Sequence, residues 1–499
     1  MGEEKRREYI EGQYDFEIPP KPVPEQEINE EMTVDLCIVG AGQAGTMAAL
    51  TAGKLGASAV VLQKTNNVFC YGRVANLLNT KFQLEKYGEP FDVSDYESHM
   101  LRASAGRGNP SLIKLFYEKS GECGDFINAV AEEFGLEHRY EIYNTYKTVE
   151  VGWSDTTAYH RQLTFIRAMR PIIEQLGITY RFHTPGYYLE KDHQGRVCGV
   201  IAKKEGPGEE GYLRVKASKG VLLCTGDIGG NEKMLRKYST WAAGVKSCYA
   251  PGVNTGDGHQ MALWAGAQMQ KGEFSNMIHL DPTVLPEGNA PLSDYPFLAV
   301  NLNGDRFMNE EIVYQYKVNA ALNQPEQTYF QIGGKHMPDF VKSKKDIRNY
   351  TWDKAVKSGA IQSGETIKEL AAKINVPAER LRETILRYDA MAERGIDDEF
   401  GKQAKNFENT EIIEGPYYAI KRRAGVLTVV GGLVTNRRLQ VFDTHNQIIE
   451  GLYAAGNTVG CFYGPDYPYA GFEILESGHS SGRAMTFGRI AARAALGDL

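Results

Sequence analysis

The sequence predicts an α/β fold in which both ends of the chain form one domain, with a mixed domain inserted between them. Three observations support this prediction. Residues 34–64 read as strand, turn, helix and strand, which is how a parallel sheet begins. The alternation of strands and helices stops over about residues 276–420. A strand-like piece returns at residue 451, and a helical segment follows it over residues 480–497.

The first elements follow from composition and spacing. Residues 1–33 are predicted to be a polar arm packed on a neighbour, because the prolines of PPKPVPEQ (19–26) keep it extended. The core begins at Val34 with VDLCIVG, a short apolar run that ends in glycine. A stretch rich in Ala, Leu and Met follows and predicts a helix, and ASAVVLQK (57–64) predicts a second buried strand.

Helices and a meander are predicted in the middle of the chain. Asn109-Pro110 begins one helix, since proline suits the first helical turn, and residues 161–177 form another. ITYRFHT, GRVCGVIAKK, YLRVKAS and GVLLCTG are separated by turn signals and predict an antiparallel meander that returns to a buried strand. Two further helices are predicted in the inserted part, over residues 366–374 and 377–393.

Composition excludes several classes of protein. The 499 residues carry 56 Lys and Arg against 63 Asp and Glu, so the net charge of −7 argues against a nucleic-acid binder. No stretch reaches the ~18 apolar residues of a membrane span, and no signal peptide is visible. The seven cysteines are scattered without a CxxC pair, which is typical of a reducing compartment. We therefore expect a cytoplasmic protein without a metal site.

The strongest motif is Gly40-Ala41-Gly42-Gln43-Ala44-Gly45, which follows a predicted strand and opens a predicted helix. The first glycine allows a tight turn and the second lets the backbone approach a pyrophosphate at the helix N-terminus. The third permits close packing of helix and strand. About twenty residues on, where an acidic residue binds the ribose, the chain carries Gln63 and Lys64.

A set of further motifs occurs in a recognisable order. They are GVLLCTGDIGGN (220–231), NTGDGHQMALWAGA (254–267), NLNGDRFMNEE (301–311), VVGGLVTN (429–436), GLYAAGN (451–457) and FGRIAA (487–492). With VDLCIVGAGQAG they resemble the flavoproteins that include soluble fumarate reductases, urocanate reductase and 3-ketosteroid dehydrogenases. The resemblance covers about residues 34–496. It implies FAD in a Rossmann-like FAD-binding domain, and an inserted α+β capping domain that closes over the isoalloxazine.

The implied domains are an N-terminal extension over residues 1–33, an FAD-binding domain over residues 34–275 and 426–499, and a capping or substrate domain over residues 276–425. By the resemblance, Gly226, Asp227 and Asp257 lie near the adenosine and pyrophosphate of FAD. Asp257 has an alternative role as a turn residue between two glycines.

The resemblance also assigns residues to the flavin end. Gly456 and Asn457 would meet the ribityl or pyrophosphate portion. The start of the last helix (Gly478, Ser481, Gly482) would turn its amides toward the ring, where a helix N-terminus stabilises the anionic reduced flavin. The segment CYGRVANLLNT (70–80) has no histidine for covalent attachment, so FAD is expected to be non-covalent. Arg73 in that segment is a candidate flavin or phosphate contact, or else a solvated charge.

The substrate site departs from the fumarate reductases. Their charged dicarboxylate contacts align with Asp281, with Tyr314 or a neighbour, and with Leu427 or Thr428, so fumarate or succinate chemistry is not expected. An aromatic loop, GCFYGPDYPYAGFEILESGH (460–479), is present instead.

Ketosteroid dehydrogenases place a tyrosine in the corresponding loop. Tyr467 and Tyr469 are therefore the candidates for polarising a substrate carbonyl, because a phenol is a neutral donor to an enolate-like oxygen. Both could instead only pack. His479 and Arg483 are alternative carboxylate ligands, and Arg483 could also contact phosphate or backbone. Glu310 is expected to pair or cap within the inserted domain.

These residues together predict an FAD-dependent oxidoreductase acting on a CH–CH bond next to a carbonyl of a small molecule. The hydride passes between flavin N5 and the β-carbon, and reduction is favoured over desaturation. Because one GxGxxG unit is visible, electrons are expected from another protein or a free reduced carrier. The alternatives are a carboxylate-selective enoate reductase that uses Arg483 and His479, and a flavin-binding subunit or sensor without turnover.

Overall fold

The fold is taken from a computed structural model. It describes residues 14–72, 75–90, 92–136, 138–143, 148–153, 161–246, 248–282, 284–285, 288–289, 295–312, 314–343, 352–407, 410–412, 414–465, 467 and 478–499. Side chains are described for most of these residues; those of 280–282 and 314–315 are among the exceptions.

Strands and helices alternate irregularly along the described part of the chain. The strands are β1 (Ile28–Val39), β2 (Ala59–Leu62), β3 (Asn76–Leu77), β4 (His138–Tyr143), β5 (Thr148–Trp153), β6 (Thr179–Arg181), β7 (Gly186–Lys191), β8 (Val197–Lys203), β9 (Tyr212–Leu223), β10 (Ser275–Pro282), β11 (Val284–Leu285), β12 (Gly288–Asn289), β13 (Leu298–Asn301), β14 (Thr328–Gly333), β15 (Ile361–Gly364), β16 (Tyr417–Val430), β17 (Gln440–Phe442) and β18 (Ile448–Ala454). The helices are α1 (Gln43–Lys54), α2 (Lys81–Tyr87), α3 (Val93–Ala103), α4 (Pro110–Glu133), α5 (Arg161–Gln175), α6 (Glu232–Tyr238), α7 (Asp257–Trp264), α8 (Tyr314–Leu322), α9 (Met337–Ser343), α10 (Trp352–Lys357), α11 (Ile367–Ile374), α12 (Ala378–Arg394) and α13 (His479–Leu496).

The chain divides into two compact units. The first takes in the described residues of Met1–Ala243, Ala250–Asn276 and Thr428–Leu499, and the second those of Gly244–Tyr249 and Met277–Leu427. The first unit is therefore assembled from three separate parts of the sequence. The second unit consists of the long segment 277–427 and the short segment 244–249.

The first unit is organised around a sheet in the order β17-β18-β9-β1-β2-β6, with β8 beside β9 and β7 beside β8. β1 pairs in parallel with both β2 and β9, and β18 pairs in parallel with β9. β7, β8 and β9 form an antiparallel meander, but the prediction of its strands was partly wrong. ITYRFHT contains β6, which pairs in parallel with β2, and β7 takes its place in the meander. YLRVKAS and GVLLCTG form one continuous strand, β9, because no turn separates them. The strand–helix–strand unit β1-α1-β2 lies at the centre, so the predicted α/β fold class is confirmed.

β1 is longer than the apolar run that predicts it. It begins at Ile28 rather than Val34, and its first part pairs with the start of β9. Side chains in that part alternate between half-buried and exposed, so no continuous apolar run marks it; only the fully buried end of the strand does. Residues 28–33 thus belong to the sheet and not to a polar arm. Upstream of them, Phe16 is buried, and its carbonyl oxygen accepts a hydrogen bond from Trp264 Nε1 (2.9 Å).

Two helices of the first unit pack closely on each other through small residues. α1 and α13 approach so closely that a Cβ on Gly488 would lie 2.2 Å from the carbonyl oxygen of Ala44. α4 begins at Pro110 as predicted, and the Asn109 side chain caps it by accepting from the Ser111 N–H (2.9 Å).

The second unit contains a sheet in the order β10-β16-β14-β13, with β15 also paired to β16. The pairs β13–β14, β14–β16 and β15–β16 are antiparallel. α11 and α12, which match the helices predicted over residues 366–374 and 377–393, bury an apolar face against it. Glu310 is buried in this unit and accepts two hydrogen bonds from Arg306, each 2.9 Å. The pairing expected for Glu310 is therefore present.

Among the helices that the structure describes, none is both long enough and apolar enough to cross a bilayer.

Candidate functional site

The glycine motif forms a tight turn between β1 and α1. Gly40 has φ +106°, and a Cβ there would lie 2.3 Å from the carbonyl oxygen of Cys224. A Cβ on Gly45 would lie 1.9 Å from the carbonyl oxygen of Gly40, so the helix can meet the strand only without a side chain at this position. Gly42 precedes α1 and offers the helix no side-chain cap.

Gln63 supports this turn from within the protein. Its Oε1 accepts a hydrogen bond from the Ala41 N–H (3.0 Å). Its Nε2 donates to Thr65 Oγ1 (2.6 Å) and to the carbonyl oxygen of Asn67 (3.2 Å). Both N–H bonds of the amide are therefore used inside the protein. A ribose hydroxyl could therefore bind Gln63 only by donating to the second lone pair of Oε1.

Lys64 and Asp257 meet although they are 193 positions apart. Lys64 Nζ donates to Asp257 Oδ2 (2.9 Å) and to Thr255 Oγ1 (2.6 Å). Thr255 Oγ1 in turn donates to Asp257 Oδ1 (2.6 Å). All three side chains are half-buried, so this charged group remains open to water and to a polar ligand. Thr255 is a member of the group that the sequence motif contained but did not single out.

Asp227 is buried and surrounded by donors. Oδ1 accepts from the Gly229 N–H (2.7 Å), and Oδ2 accepts from Asn254 Nδ2 (2.8 Å) and Thr428 Oγ1 (2.6 Å). Burial raises the pKa of the Asp227 carboxyl to about 6, and the hydrogen bond from Thr428 opposes this rise. The carboxylate thus holds the turn after β9 in place, and both of its oxygens face protein groups.

A hydrogen-bonded line continues from Thr428 to the start of α13. Asn457 Nδ2 donates to Thr428 Oγ1 (3.0 Å). Asn457 Oδ1 accepts from Ser480 Oγ (3.0 Å) and from Arg483 Nη2 (3.0 Å). Asn457 therefore connects the turn at Asp227 with the first turn of α13.

Arg483 is fully buried and faces the backbone. Nη2 also donates to the carbonyl oxygen of Gly456 (3.2 Å), and Nη1 donates to that of Val459 (3.4 Å). The guanidinium carbon lies 5.2 Å from the ring centroids of Phe462 and Tyr463. Burial lowers the pKa of Arg483. Of the alternatives for this residue, the structure places it in backbone contacts, and no carboxylate among the described residues forms an ion pair with it.

The start of α13 is fastened to the start of α1. Gln43 Nε2 donates to Ser481 Oγ (3.0 Å) and to the carbonyl oxygen of Tyr71 (3.1 Å). A Cβ on Gly482 would lie 1.8 Å from the carbonyl oxygen of Asn76, and Gly478 has φ +96° with no side-chain cap for the helix. Two uncapped helix N-termini therefore lie side by side.

The described part of the aromatic loop forms a buried cluster with α3 and α13. Tyr467 accepts a hydrogen bond from the Ser480 N–H (3.0 Å), and its ring packs on that of Tyr463 with 4.8 Å between the centroids. The Tyr463 hydroxyl bonds to His479 Nδ1 (2.7 Å), and His479 Nε2 bonds to the Tyr96 hydroxyl. Burial raises the pKa of Tyr467 well above its usual value. Burial, with the nearby Arg483 charge, lowers the pKa of His479 to about 3.

Several predicted residues cannot be placed. Arg73 and Tyr469 lie outside the described residues, as do the side chains of Asp281 and Tyr314. Tyr96 and Tyr463 were not singled out from the sequence. Tyr463 stands in the loop whose aromatic content was recognised, whereas nothing in the sequence connects Tyr96 with a histidine 383 positions away.

The residues at the two helix starts fit a polar cofactor. Buried polar atoms without a protein partner lie on or beside them: Thr46 Oγ1 on α1, Asn76 Oδ1 next to Gly478, and Arg483 Nε on α13. Uncapped N–H groups at both helix starts favour an anionic ligand such as a diphosphate. Within the described residues, no group of three or more His, Cys, Asp or Glu is placed to hold a metal ion.

Comparison with known proteins defines the class. The profile of the family described as "FAD binding domain" matches residues 35–474, and the chain belongs to this family. Its cofactor is FAD. The predicted resemblance to flavoproteins is confirmed. The predicted FAD-dependent oxidoreductase activity on CH–CH groups is confirmed as well.

Particular relatives are similar over most of the chain. Vinyl phenol reductase of Lactiplantibacillus plantarum is 27% identical over 489 residues, covering 90% of this chain and 95% of the relative. The cytochrome-type fumarate reductase of Shewanella frigidimarina is 26% identical over 472 residues, covering 92% of this chain and 76% of the relative. The open conformation of a flavocytochrome c3 fumarate reductase shares the fold, with a TM-score of 0.76 and 24% identity over 94% of this chain and 79% of that one.

Proposed function

We propose that this protein reduces a carbon–carbon double bond conjugated to the carbonyl group of a small molecule, with Tyr467 as the group that polarises the oxygen. The observation that carries the proposal is the position of Tyr467. Its phenol is buried, and the Ser480 N–H in the first turn of α13 holds it there. The names of the relatives, which include a vinyl phenol reductase and a fumarate reductase, support reduction.

The reaction divides between cofactor and protein. When bound and reduced, FAD supplies a hydride. Because burial raises the pKa of Tyr467, its phenol stays protonated at neutral pH and can donate to an oxygen on which negative charge develops. The amide of Ser480 fixes the phenol oxygen, so that the donor is in position before the substrate arrives. Tyr469 remains a second candidate for this role.

The cofactor's position is proposed from the same residues. The uncapped start of α1 at Gly42 would receive the diphosphate, and the start of α13 at Gly478 would face the flavin ring. The half-buried Asp257, with Lys64 beside it, suits the hydroxyls at the adenosine end better than Gln63, whose two amide N–H groups both donate within the protein. We assign residues 34–275 and 426–499 to FAD binding and residues 276–425 to a capping domain. We also propose that FAD is bound non-covalently and that the protein is cytoplasmic.

A carboxylate-selective enoate reductase is less well supported. That activity would need Arg483 and His479 to face a substrate carboxylate. Arg483 is turned toward the carbonyl oxygens of Gly456 and Val459, and both nitrogens of His479 are bonded to tyrosines. An uncharged substrate is therefore favoured. The electron source is proposed to be a donor protein or a free reduced carrier.

The test is a single-turnover assay with the holoprotein. The flavin is reduced anaerobically with dithionite and then mixed with 2-cyclohexenone, a steroid enone, 4-vinylphenol or fumarate, while the flavin absorbance is followed. We expect rapid reoxidation by at least one uncharged compound and none by fumarate. In Tyr467→Phe, that reoxidation should slow by about 10²-fold or more, as on loss of an oxyanion donor. Reoxidation by fumarate alone, or by none of the compounds, would refute the proposal.

A further inference from the structure

The candidate donor Tyr467 is held by its backbone as well as by its phenol. Its phenol oxygen accepts from the Ser480 N–H (3.0 Å), and its own N–H donates to the carbonyl oxygen of Asn276 (3.1 Å). The Asn276 N–H donates in turn to the carbonyl oxygen of Pro465 (3.0 Å). Pro465 and Tyr467 are therefore both bonded to the backbone of Asn276, the second residue of β10.

The side chain of Asn276 strengthens this hold. Its Nδ2 donates to the same carbonyl oxygen of Pro465 (3.3 Å), and its Oδ1 accepts from Ser239 Oγ at the end of α6. Asn276 is 2% exposed and Ser239 is fully buried. Because a buried amide is tolerated only when it is hydrogen-bonded, these bonds fix its orientation. A buried amide thus fastens the end of α6 to the aromatic loop.

The start of the described part of the loop is fastened in a similar way. Gln270 Oε1 accepts from the Cys461 N–H (2.6 Å), and the carbonyl oxygen of Cys461 accepts from the Asn109 N–H (2.6 Å). Gln270 and Asn276 lie close in sequence, and both belong to the first unit. One stretch of the first unit therefore holds the loop near Cys461 and again at Tyr467.

We propose that Asn276 is a positioning residue for catalysis, which fixes Tyr467 where its phenol can donate a hydrogen bond to the substrate oxygen. The inference rests on the proposed function, in which Tyr467 polarises that oxygen. A phenol that accepts one hydrogen bond still has its own proton to donate. A tyrosine ring turns about its side-chain torsions, so its hydroxyl is fixed only when both the oxygen and the backbone are held. Ser480 holds the oxygen, and Asn276 holds the backbone.

The first test is the single-turnover assay, with the compound that reoxidises the wild-type flavin fastest. Asn276→Leu removes both side-chain bonds with little change in volume. It should lower the limiting rate by about tenfold and leave the substrate dissociation constant within about twofold, because misplacement of a donor acts on the transition state. Ser239→Ala removes only the bond to Oδ1 and should lower the limiting rate by a smaller factor.

The matched control is Ser275→Ala, the same substitution at the residue before Asn276. The Ser275 hydroxyl is buried and has no hydrogen-bond partner among the described residues, so this variant should react at the wild-type rate. Wild-type limiting rates in both Asn276→Leu and Ser239→Ala would overturn the proposal.

A double-mutant cycle separates positioning from a general loss of structure. Tyr467→Phe has no donor left to position, so the addition of Asn276→Leu should slow its reoxidation little further. If Asn276→Leu slows the wild type and Tyr467→Phe by the same factor, Asn276 does not act through Tyr467 and the inference is wrong.

A second measurement does not depend on turnover. In holoprotein labelled with 3-fluorotyrosine, the ¹⁹F signal of Tyr467 is identified by its loss in Tyr467→Phe. This signal should shift or broaden in Asn276→Leu and stay unchanged in Ser275→Ala. An unchanged signal in Asn276→Leu would refute the inference. If no compound reoxidises the flavin, the proposed function fails, and this spectrum still decides whether Asn276 holds Tyr467.

Discussion

Some buried polar groups in this protein are fixed by several complementary partners. Asp227 is the clearest case, since its two oxygens accept from a backbone N–H, an amide and a hydroxyl. The sequence identified Asp227 by its motif but not its partners, because Asn254 and Thr428 lie 27 and 201 positions away. The position of a residue in a family motif indicates that it contributes to the site, but not which groups it binds. Only the structure shows that Asp227 binds protein donors.

The first prediction concerns Asp227→Asn. Whichever way the new amide turns, its NH₂ group faces a donor, either the Gly229 N–H or the pair formed by Asn254 and Thr428. We expect the free energy of unfolding to fall by about 1–3 kcal/mol, measured by chemical denaturation. The control is Asp192→Asn in an exposed turn, where only Oδ1 accepts and an amide oxygen can replace it. Equal stability of Asp227→Asn and wild type would contradict the prediction.

The second prediction concerns His259, whose Nε2 donates to the carbonyl oxygen of Gly431 (3.0 Å). Burial lowers its pKa to about 4, whereas an unfolded histidine titrates near 6.5. Below about pH 6.5 the unfolded chain binds a proton that the folded one does not, so the stability present above that pH is lost on acidification. The unfolding free energy of wild type relative to His259→Gln should fall by up to about 1.4 kcal/mol per pH unit between pH 6 and 4.

The difference between the two denaturation curves isolates this histidine, because the remaining titrating groups are common to both proteins. His445→Gln at an exposed position serves as the control for the replacement of a histidine by glutamine as such. A pH-independent difference for His259→Gln would show that the folded protein accepts the proton as readily as the unfolded chain.

At the scale of secondary structure, the glycine turn and α1 could be predicted because an apolar strand, a glycine and a helical spacing follow one another directly. The first half of β1 could not, since its polar side chains alternate without an apolar run. The contact between α1 and α13 could not either. Gln43 and Ser481 are 438 positions apart, and no local pattern specifies which helix lies beside which. Local sequence patterns therefore predict the helices and strands. Their packing depends on close approaches of a glycine to backbone that is distant in the sequence.

The third prediction tests the contact between α1 and β1. In Gly45→Ala the new methyl group would lie 1.9 Å from the Gly40 carbonyl oxygen, so the helix must move. We expect a loss of about 1–3 kcal/mol in stability from overpacking, measured by thermal or chemical denaturation. FAD affinity should fall by about tenfold or more, as titration of the apoprotein would show. Gly252→Ala is the control, because no atom lies within 4 Å of its added methyl group.

At the scale of the whole molecule, the residues proposed to hold FAD come from distant parts of the chain. The sequence identified the cofactor through several motifs that only together define the family. The contact between Tyr96 and His479 could not be found in this way, since α3 carries no motif and Tyr96 lies 383 positions from His479 in the sequence. Chemistry supplied by the shared fold is therefore predictable, whereas chemistry specific to this site depends on tertiary packing.

The fourth prediction concerns attachment of the cofactor. Residues 70–80 contain no histidine for a covalent flavin bond. Precipitation of the holoprotein with acid should therefore release all of the FAD into the supernatant, where its absorbance and chromatographic mobility identify it. A yellow pellet that remains fluorescent after washing would contradict the prediction.

The division of the first unit between distant parts of the chain has a consequence for synthesis on the ribosome. β1, α1 and β9 are translated early, but β18, which pairs with β9, and α13, which packs on α1, emerge only after the whole second unit has been made. Until then the end of β9 that pairs with β18 and the face of α1 that packs on α13 have no native cover. A nascent chain must wait in this state before it can take up its cofactor, so slow elongation through residues 277–427 should increase its need for chaperones.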